Sequence, residues 1–310
     1  MPPRRRYRKL VACVCGRLQG DGMEIDMRFI EIIKAILLGI VEGITEWLPV
    51  SSTGHMIILD NFIKLDVSSE FLELFLVVIQ LGAIAAVAVL FFSKLNPFSP
   101  TKTAEEKKRV WTLWSKVLVG AVPAAVIGFL LDDFLDEHFY NYLVVSIALV
   151  VYGILFILVE HFNAKKGQKF RVESVDDLSY ADALKIGAFQ VLSLIPGTSR
   201  SGSTMLGGIA SGVSRVASAE FSFFMAIPIM LGASGLKLVK FILEGNSVTG
   251  EEIGLLLIGM AVSFLVSLFA IKFLMDFVKQ NSFTPFGVYR IILGVIVIGY
   301  FLFLCSQYQY

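Results

Sequence analysis

The sequence predicts an all-α polytopic membrane protein, and three observations carry that prediction. First, 56% of its 310 residues are hydrophobic and only 17% are charged, against about 45–50% and about 25% in soluble domains. Second, six apolar runs approach the ~20 residues that cross a bilayer as a helix: 71–92, 117–131, 142–159, 221–243, 253–275 and 288–304. Third, the chain repeats itself about 150 residues on. A β-barrel would instead show short alternating segments.

The loops order these spans. Lys and Arg favour the cytoplasmic side. Lys94, Lys102, Lys107, Lys108, Arg109 and Lys116 place the connection after the first span inside. The stretch around Asp132, Asp133, Asp136 and Glu137 has no basic residue and reads as an outer loop. Residues 160–183 carry Lys165, Lys166, Lys169 and Arg171 and return inside; 244–252 has no basic residue and lies outside; Lys272 and Lys279 mark the next inner connection.

The repeat gives the two halves opposite senses. SSEFLELFLVVIQLGA from Ser68 matches SAEFSFFMAIPIMLGA from Ser218 at an offset of 150, Glu70 with Glu220 and Gly82 with Gly232. Upstream, GIVEGITEWLPVSSTG from Gly39 resembles GAFQVLSLIPGTSRSG from Gly187, with Pro49 set against Pro196 at an offset of 147. One span runs inward and its counterpart outward, the arrangement of an inverted-topology repeat. Parity then requires residues 184–220 to enter and leave on the inner side, and residues 28–66 to do the same from outside, so each half carries a re-entrant helical hairpin. Halves of about 27–160 and 184–310 form one integral-membrane domain.

Residues 1–26 read differently. They are basic and have no apolar core long enough for a signal peptide, and they read as an extension outside the fold, with the working chain starting near Met23 or Met27. Cys13, Cys15 and Cys305 make no disulfide framework, and a net charge of +1 gives no footprint for nucleic acid.

The chemistry is concentrated in two motifs, EGITEWLPVSSTGH at 42–55 and PGTSRSG at 196–202. Broken backbone at membrane depth survives only in a protein-lined or water-filled cavity, so the two are expected to meet there. Glu42 and Glu46 share a helix face, and ionisable groups at that depth are costly and usually functional. Ser51, Ser52, Thr53, Thr198, Ser199, Ser201 and Ser203 supply hydrogen-bond donors. Arg200 offers a fork suited to phosphate, and the helix after Gly202 an anion-attracting N-terminus. The carboxylates would repel phosphate without a cation between them, and a hard ion such as Mg²⁺ fits. His55 can serve as general base or nucleophile. Together these groups suit hydrolysis of a phosphate ester or anhydride with a greasy far end. The blander alternatives are a structural Glu–Arg pair and serines that cap or join helices; Glu70 and Glu220 suit helix-dipole matching, Trp47 an interface belt or packing, and Arg290 either snorkelling or phosphate contact.

These motifs, with VVIQLGAIAAV (77–87), GVSRVASAEFSFFMAIPIM (212–230) and FTPFGVYR (283–290), resemble those of the undecaprenyl-diphosphate phosphatase family, the bacitracin-resistance proteins. The resemblance runs from about Met27 to the C-terminus. It implies a multi-pass enzyme of the bacterial plasma membrane, its site open to the outer face, that removes the terminal phosphate of undecaprenyl diphosphate. That activity recycles the carrier lipid for peptidoglycan synthesis and confers bacitracin resistance. It implies a divalent cation, Mg²⁺ or else Ca²⁺, on Glu42 and Glu46. It implies catalytic roles for Glu46, Ser52, His55 and Arg200, with Ser52 and His55 as nucleophile and base in an order left open. Phosphate binding falls to Ser51, Thr53, Ser199, Arg200 and Ser201. The expected partners are the polyprenyl diphosphate lipid and the membrane, with a homodimer left open and no nucleic acid. The competing reading is a transporter or flippase for a polyprenyl phosphate lipid.

Overall fold

The computed structural model describes residues 21–307 apart from 140, 166 and 168. The expectation about the N-terminal extension falls largely on residues 1–20, outside the described residues; residues 21–26 continue as helix. Among the described residues the chain is helical and carries no multi-residue strand. The helices are α1 (Asp21–Thr45), α2 (Ser52–Phe62), α3 (Ser69–Leu90), the short α4 (Phe92–Leu95), α5 (Ala104–Phe139), α6 (Tyr142–Lys165), α7 (Tyr180–Val191), α8 (Arg200–Ala210), α9 (Arg215–Leu243), α10 (Gly250–Gln280) and α11 (Thr284–Gln307).

Six of these, α3, α5, α6, α9, α10 and α11, are long and apolar enough to cross a membrane. Their starts are written locally. Ser68 and Ser214 accept the amides of Phe71 and Ala217 at the first turns of α3 and α9. Thr249 and Glu252 form a capping box at α10, which satisfies amides a helix start leaves open. Large apolar side chains stay exposed on these helices, among them Phe129 at 73% and Phe269 at 74%, as a lipid-facing surface requires.

One expectation needs correcting. Asp132, Asp133, Asp136 and Glu137 do not form a loop; they lie on the last turns of α5, which runs on to Phe139. No Gly or Pro stands between Leu131 and Phe139, so nothing in the backbone stops the helix.

Apart from the short α4, the remaining helices pair into two hairpins, α1–α2 and α7–α8. With 11 or 12 residues, α2, α7 and α8 reach only about 17 Å at the helical rise, short of a bilayer core. Each hairpin returns to the end at which it began. In the first, Lys34 donates to the Lys64 carbonyl and the Asp66 amide donates to Glu31 at 3.0 Å. In the second, the Arg171 amide donates to the Gly212 carbonyl at 2.8 Å, and Val172 bridges Val213.

The halves interlock through glycine. α1 packs on α10 and α7 on α5, so each hairpin lies against a long helix of the opposite half. A Cβ on Gly39 would stand 2.8 Å from the Gly259 carbonyl oxygen, and one on its repeat counterpart Gly187 only 2.1 Å from that of Gly120. Gly153 and Gly287 face each other reciprocally where α6 crosses α11, at 2.6 and 2.7 Å. Small residues at such crossings let membrane helices approach closely. The core lies between the halves, around Trp47, Phe156, Phe221, Phe223, Phe224 and Phe283.

Candidate active site

Each hairpin breaks at a serine with left-handed backbone. Ser51 (φ 73°) and Ser199 (φ 72°) are the non-glycine residues with positive φ among the described residues. The conformation costs of order 1–3 kcal/mol and concentrates at functional sites. Each serine caps the helix that follows: Ser51 Oγ accepts the Gly54 amide at 3.2 Å, and Ser199 Oγ the Gly202 amide at 3.1 Å. The second helix therefore starts at Arg200, not after Gly202. The paired caps also reset the repeat register. Gly39 with Gly187, Ser51 with Ser199 and Gly54 with Gly202 all keep an offset of 148, so matching Pro49 with Pro196 is one residue out; Pro49 stands opposite Gly197.

The breaks meet at the centre of the molecule. Arg200 donates to Glu46 Oε1 at 2.9 Å and to the Ser222 carbonyl at 2.8 Å. Its guanidinium also sits 5.5 Å from the centroid of the Trp47 ring. Ser52 Oγ donates to the other Glu46 oxygen, Oε2, at 3.2 Å. Glu46 thus holds Arg200 on one oxygen and Ser52 on the other. Ser201 Oγ donates to the Leu48 carbonyl at 3.3 Å, directly joining the two loops.

Arg290 locks the arrangement from below. It is wholly buried and donates to the Pro49 carbonyl at 3.2 Å and to those of Gly197 and Thr198 at 2.9 Å each. Its burial rules out snorkelling. Trp47 likewise lies in the core, edge-on to Phe223 at 5.2 Å, rather than in an interface belt.

His55 is held at both ring nitrogens, by the Ser51 carbonyl at 2.7 Å on Nδ1 and by the Tyr289 hydroxyl at 2.6 Å on Nε2. The rings of His55 and Tyr289 lie within 9° of parallel. A carbonyl only accepts, so Nδ1 carries the proton in the neutral ring and Nε2 accepts from the tyrosine.

Exposure sorts the residues singled out in the sequence. Ser52, Thr53, His55 and Ser199 keep partial exposure. Ser51, Thr198, Ser201 and Ser203 are buried, and each but Ser203 makes a hydrogen bond inside the two loops. Glu42 is buried next to Glu46 and Gln80, and its Oε1 has no hydrogen-bond partner. Among the described residues no third His, Cys, Asp or Glu joins the pair as a metal ligand. Two open cavities of about 880 and 400 Å³ lie elsewhere, one at the N-terminal part of α1 against the start of α10, the other around Trp111 and Phe98.

Residues 35–296 match the family model described as bacitracin resistance protein BacA. The chain belongs to the BacA family. The matched span covers the second hairpin, the first from residue 35 onward, and every site residue named above. Similar family members carry the name undecaprenyl-diphosphatase. One from Enterococcus faecalis is 60% identical over 277 residues, covering 89% of this chain and 100% of its own. Others are 58% identical in Acetivibrio thermocellus and 55% in Lactiplantibacillus plantarum, each over 88% of this chain and 98% of their own.

Sequence reasoning had no way to pair Tyr289 with His55, which lie 234 residues apart, nor to bring Ser222 to Arg200. Both contacts depend on how α11 and α9 pack against the loops, and neither residue belongs to the two motifs.

Proposed function

We infer that this BacA-family chain is a membrane-embedded phosphatase that hydrolyses undecaprenyl diphosphate to undecaprenyl phosphate and inorganic phosphate. The observation that carries the mechanism is the Ser52–Glu46–Arg200 array, a hydroxyl on a carboxylate that a guanidinium holds in place. This is the general arrangement of an activated nucleophile: base within reach, base oriented by a third group. High identity to relatives named undecaprenyl-diphosphatase supports the substrate.

Ser52 Oγ attacks the terminal phosphorus and its proton passes to Glu46. The bond from that phosphorus to the bridging oxygen breaks, and undecaprenyl phosphate leaves. Water then attacks the phosphoserine. Nε2 of His55 takes the water proton, the phosphorus–Oγ bond breaks, Glu46 returns its proton to Ser52, and His55 gives its proton up to solvent as phosphate leaves. Thr53 and the N-terminal amides of α2 and α8 steady the phosphate oxygens. Ser51, Ser199 and Ser201 act by shaping those loops.

A divalent cation, Mg²⁺ or Ca²⁺, would be held by Glu42, whose Oε1 has no partner, beside Glu46. Bound there, it would neutralise diphosphate charge next to the two carboxylates.

In the bilayer we place both hairpins as re-entrant from opposite faces, with the first opening to the outer leaflet. The basic stretch at Lys102–Arg109 supports that orientation. Phosphate release from undecaprenyl diphosphate by detergent-purified protein, where no transport is possible, tests the assignment. Metal-dependent release that disappears in Ser52→Ala supports it, and a folded protein that binds the lipid without releasing phosphate overturns it in favour of transport.

A further inference from the structure

We propose that Tyr289 is a positioning residue for this hydrolysis, acting through His55. The proposal rests on the phosphatase reading and assigns a role to a residue outside the two signature motifs.

An imidazole used as a base must present an unprotonated nitrogen in a fixed direction. His55 sits at the start of α2, three residues past its first, and on one side its ring is restrained only by the Ser51 carbonyl at Nδ1. That single bond sets the Nδ1–H tautomer but leaves the ring free to swing about it. The Tyr289 hydroxyl supplies the second restraint. At 2.6 Å from Nε2 it donates its proton to the lone pair, an interaction available only while Nε2 is unprotonated. The near-parallel rings, 5.7 Å between centroids, brace the same geometry. Tyr289 therefore holds the base ready in its acceptor form, while the Ser52 hydroxyl is engaged by Glu46.

The position of Tyr289 is fixed by its neighbour. Arg290 is clamped on the carbonyls of Pro49, Gly197 and Thr198, so the first turns of α11 cannot shift relative to the motif loops. Tyr289 and His55 are both partly exposed, and in this scheme an arriving phosphate or water takes over the hydrogen bond. The resting bond holds the imidazole, and the reaction replaces it.

Tyr289→Phe keeps the ring and removes the hydroxyl. In the full-length protein in detergent, with undecaprenyl diphosphate and Mg²⁺, kcat is expected to fall about tenfold with KM within about twofold. The deciding measurement is the double-mutant cycle. Adding Tyr289→Phe to His55→Ala should cost nothing further, because the hydroxyl then has no imidazole to hold. An additive loss in the double variant, or a change confined to KM, would overturn the proposal. Absence of phosphate release from the parent protein would instead defeat the phosphatase reading, so the two failures are told apart. Tyr289→His at equal folding, judged by thermal unfolding, supplies a donor in place of the hydroxyl and should recover part of kcat.

Discussion

Arg200 and Glu46 stand 154 residues apart in the chain and 2.9 Å apart in the fold, with 12% and 8% of their side chains exposed. The contact joins the break of one hairpin to the break of the other. It is also a charge pair taken largely out of solvent. Removing one partner of such a pair leaves an uncompensated charge and typically costs about 3–5 kcal/mol.

Arg200→Ala should therefore lose both activity and stability. Turnover is expected to fall at least about a thousandfold, and the melting temperature in detergent to drop with it. Arg200→Ala combined with Glu46→Gln should regain most of the stability and none of the activity, because the buried charge is gone but the base is too. A single variant with near-normal hydrolysis would remove Arg200 from the mechanism.

Glu42 separates the metal from the fold. Its Oε1 has no partner, so Glu42→Gln should leave thermal unfolding nearly unchanged. The Mg²⁺ concentration for half-maximal phosphate release should rise about tenfold or more. An unchanged metal dependence would place the cation elsewhere.

The two left-handed serines make a graded prediction. Ser199→Ala loses the cap on Gly202 and keeps the unfavourable backbone, at about 1 kcal/mol for the cap. Ser199→Gly also loses the side chain but relieves the backbone. Ser199→Gly should thus unfold at a higher temperature than Ser199→Ala, and the same order should hold at Ser51. The reverse order would mean that glycine's greater freedom in the unfolded chain outweighs the relieved backbone.

Glycine substitutions test the interlocked halves. Gly187→Ala must push α7 off the Gly120 backbone at 2.1 Å, whereas Gly235 meets nothing within 4 Å. The first should destabilise by about 3 kcal/mol, in the range of overpacked cores, and the second hardly at all. Equal melting temperatures would be inconsistent with this packing.

Acid sensitivity should arise in part where the second hairpin begins and ends. Burial raises the Asp182 carboxyl, but bonds from Arg171 and Ser179 outweigh it and hold it below its ordinary value. A depressed carboxylate contributes stability above its unfolded pKa of about 3.9 and loses it as the pH falls through the lower folded value. Asp182→Asn should narrow the stability difference between pH 6 and pH 3; an unchanged difference would mean the contact contributes nothing.

The helical class and the six spans were legible because bilayer crossing demands long apolar runs, a local property of sequence. The two motifs were legible for a related reason: Glu42, Glu46, His55 and Arg200 are conspicuous in an oily chain, since placing ionisable groups there is costly without a function. The end of α5 was misjudged because charge marks a solvent-facing surface, not a break in the helix. What only the tertiary structure decided was side-chain pairing, most of it across the halves. It set Ser52 rather than His55 on Glu46, turned Arg290 inward onto three carbonyls, placed Tyr289 on His55, and moved the repeat register to 148. The contacts of Arg290 and Tyr289 depend on α11 packing against the motif loops, and such long-range approach leaves no periodicity in the sequence that could announce it.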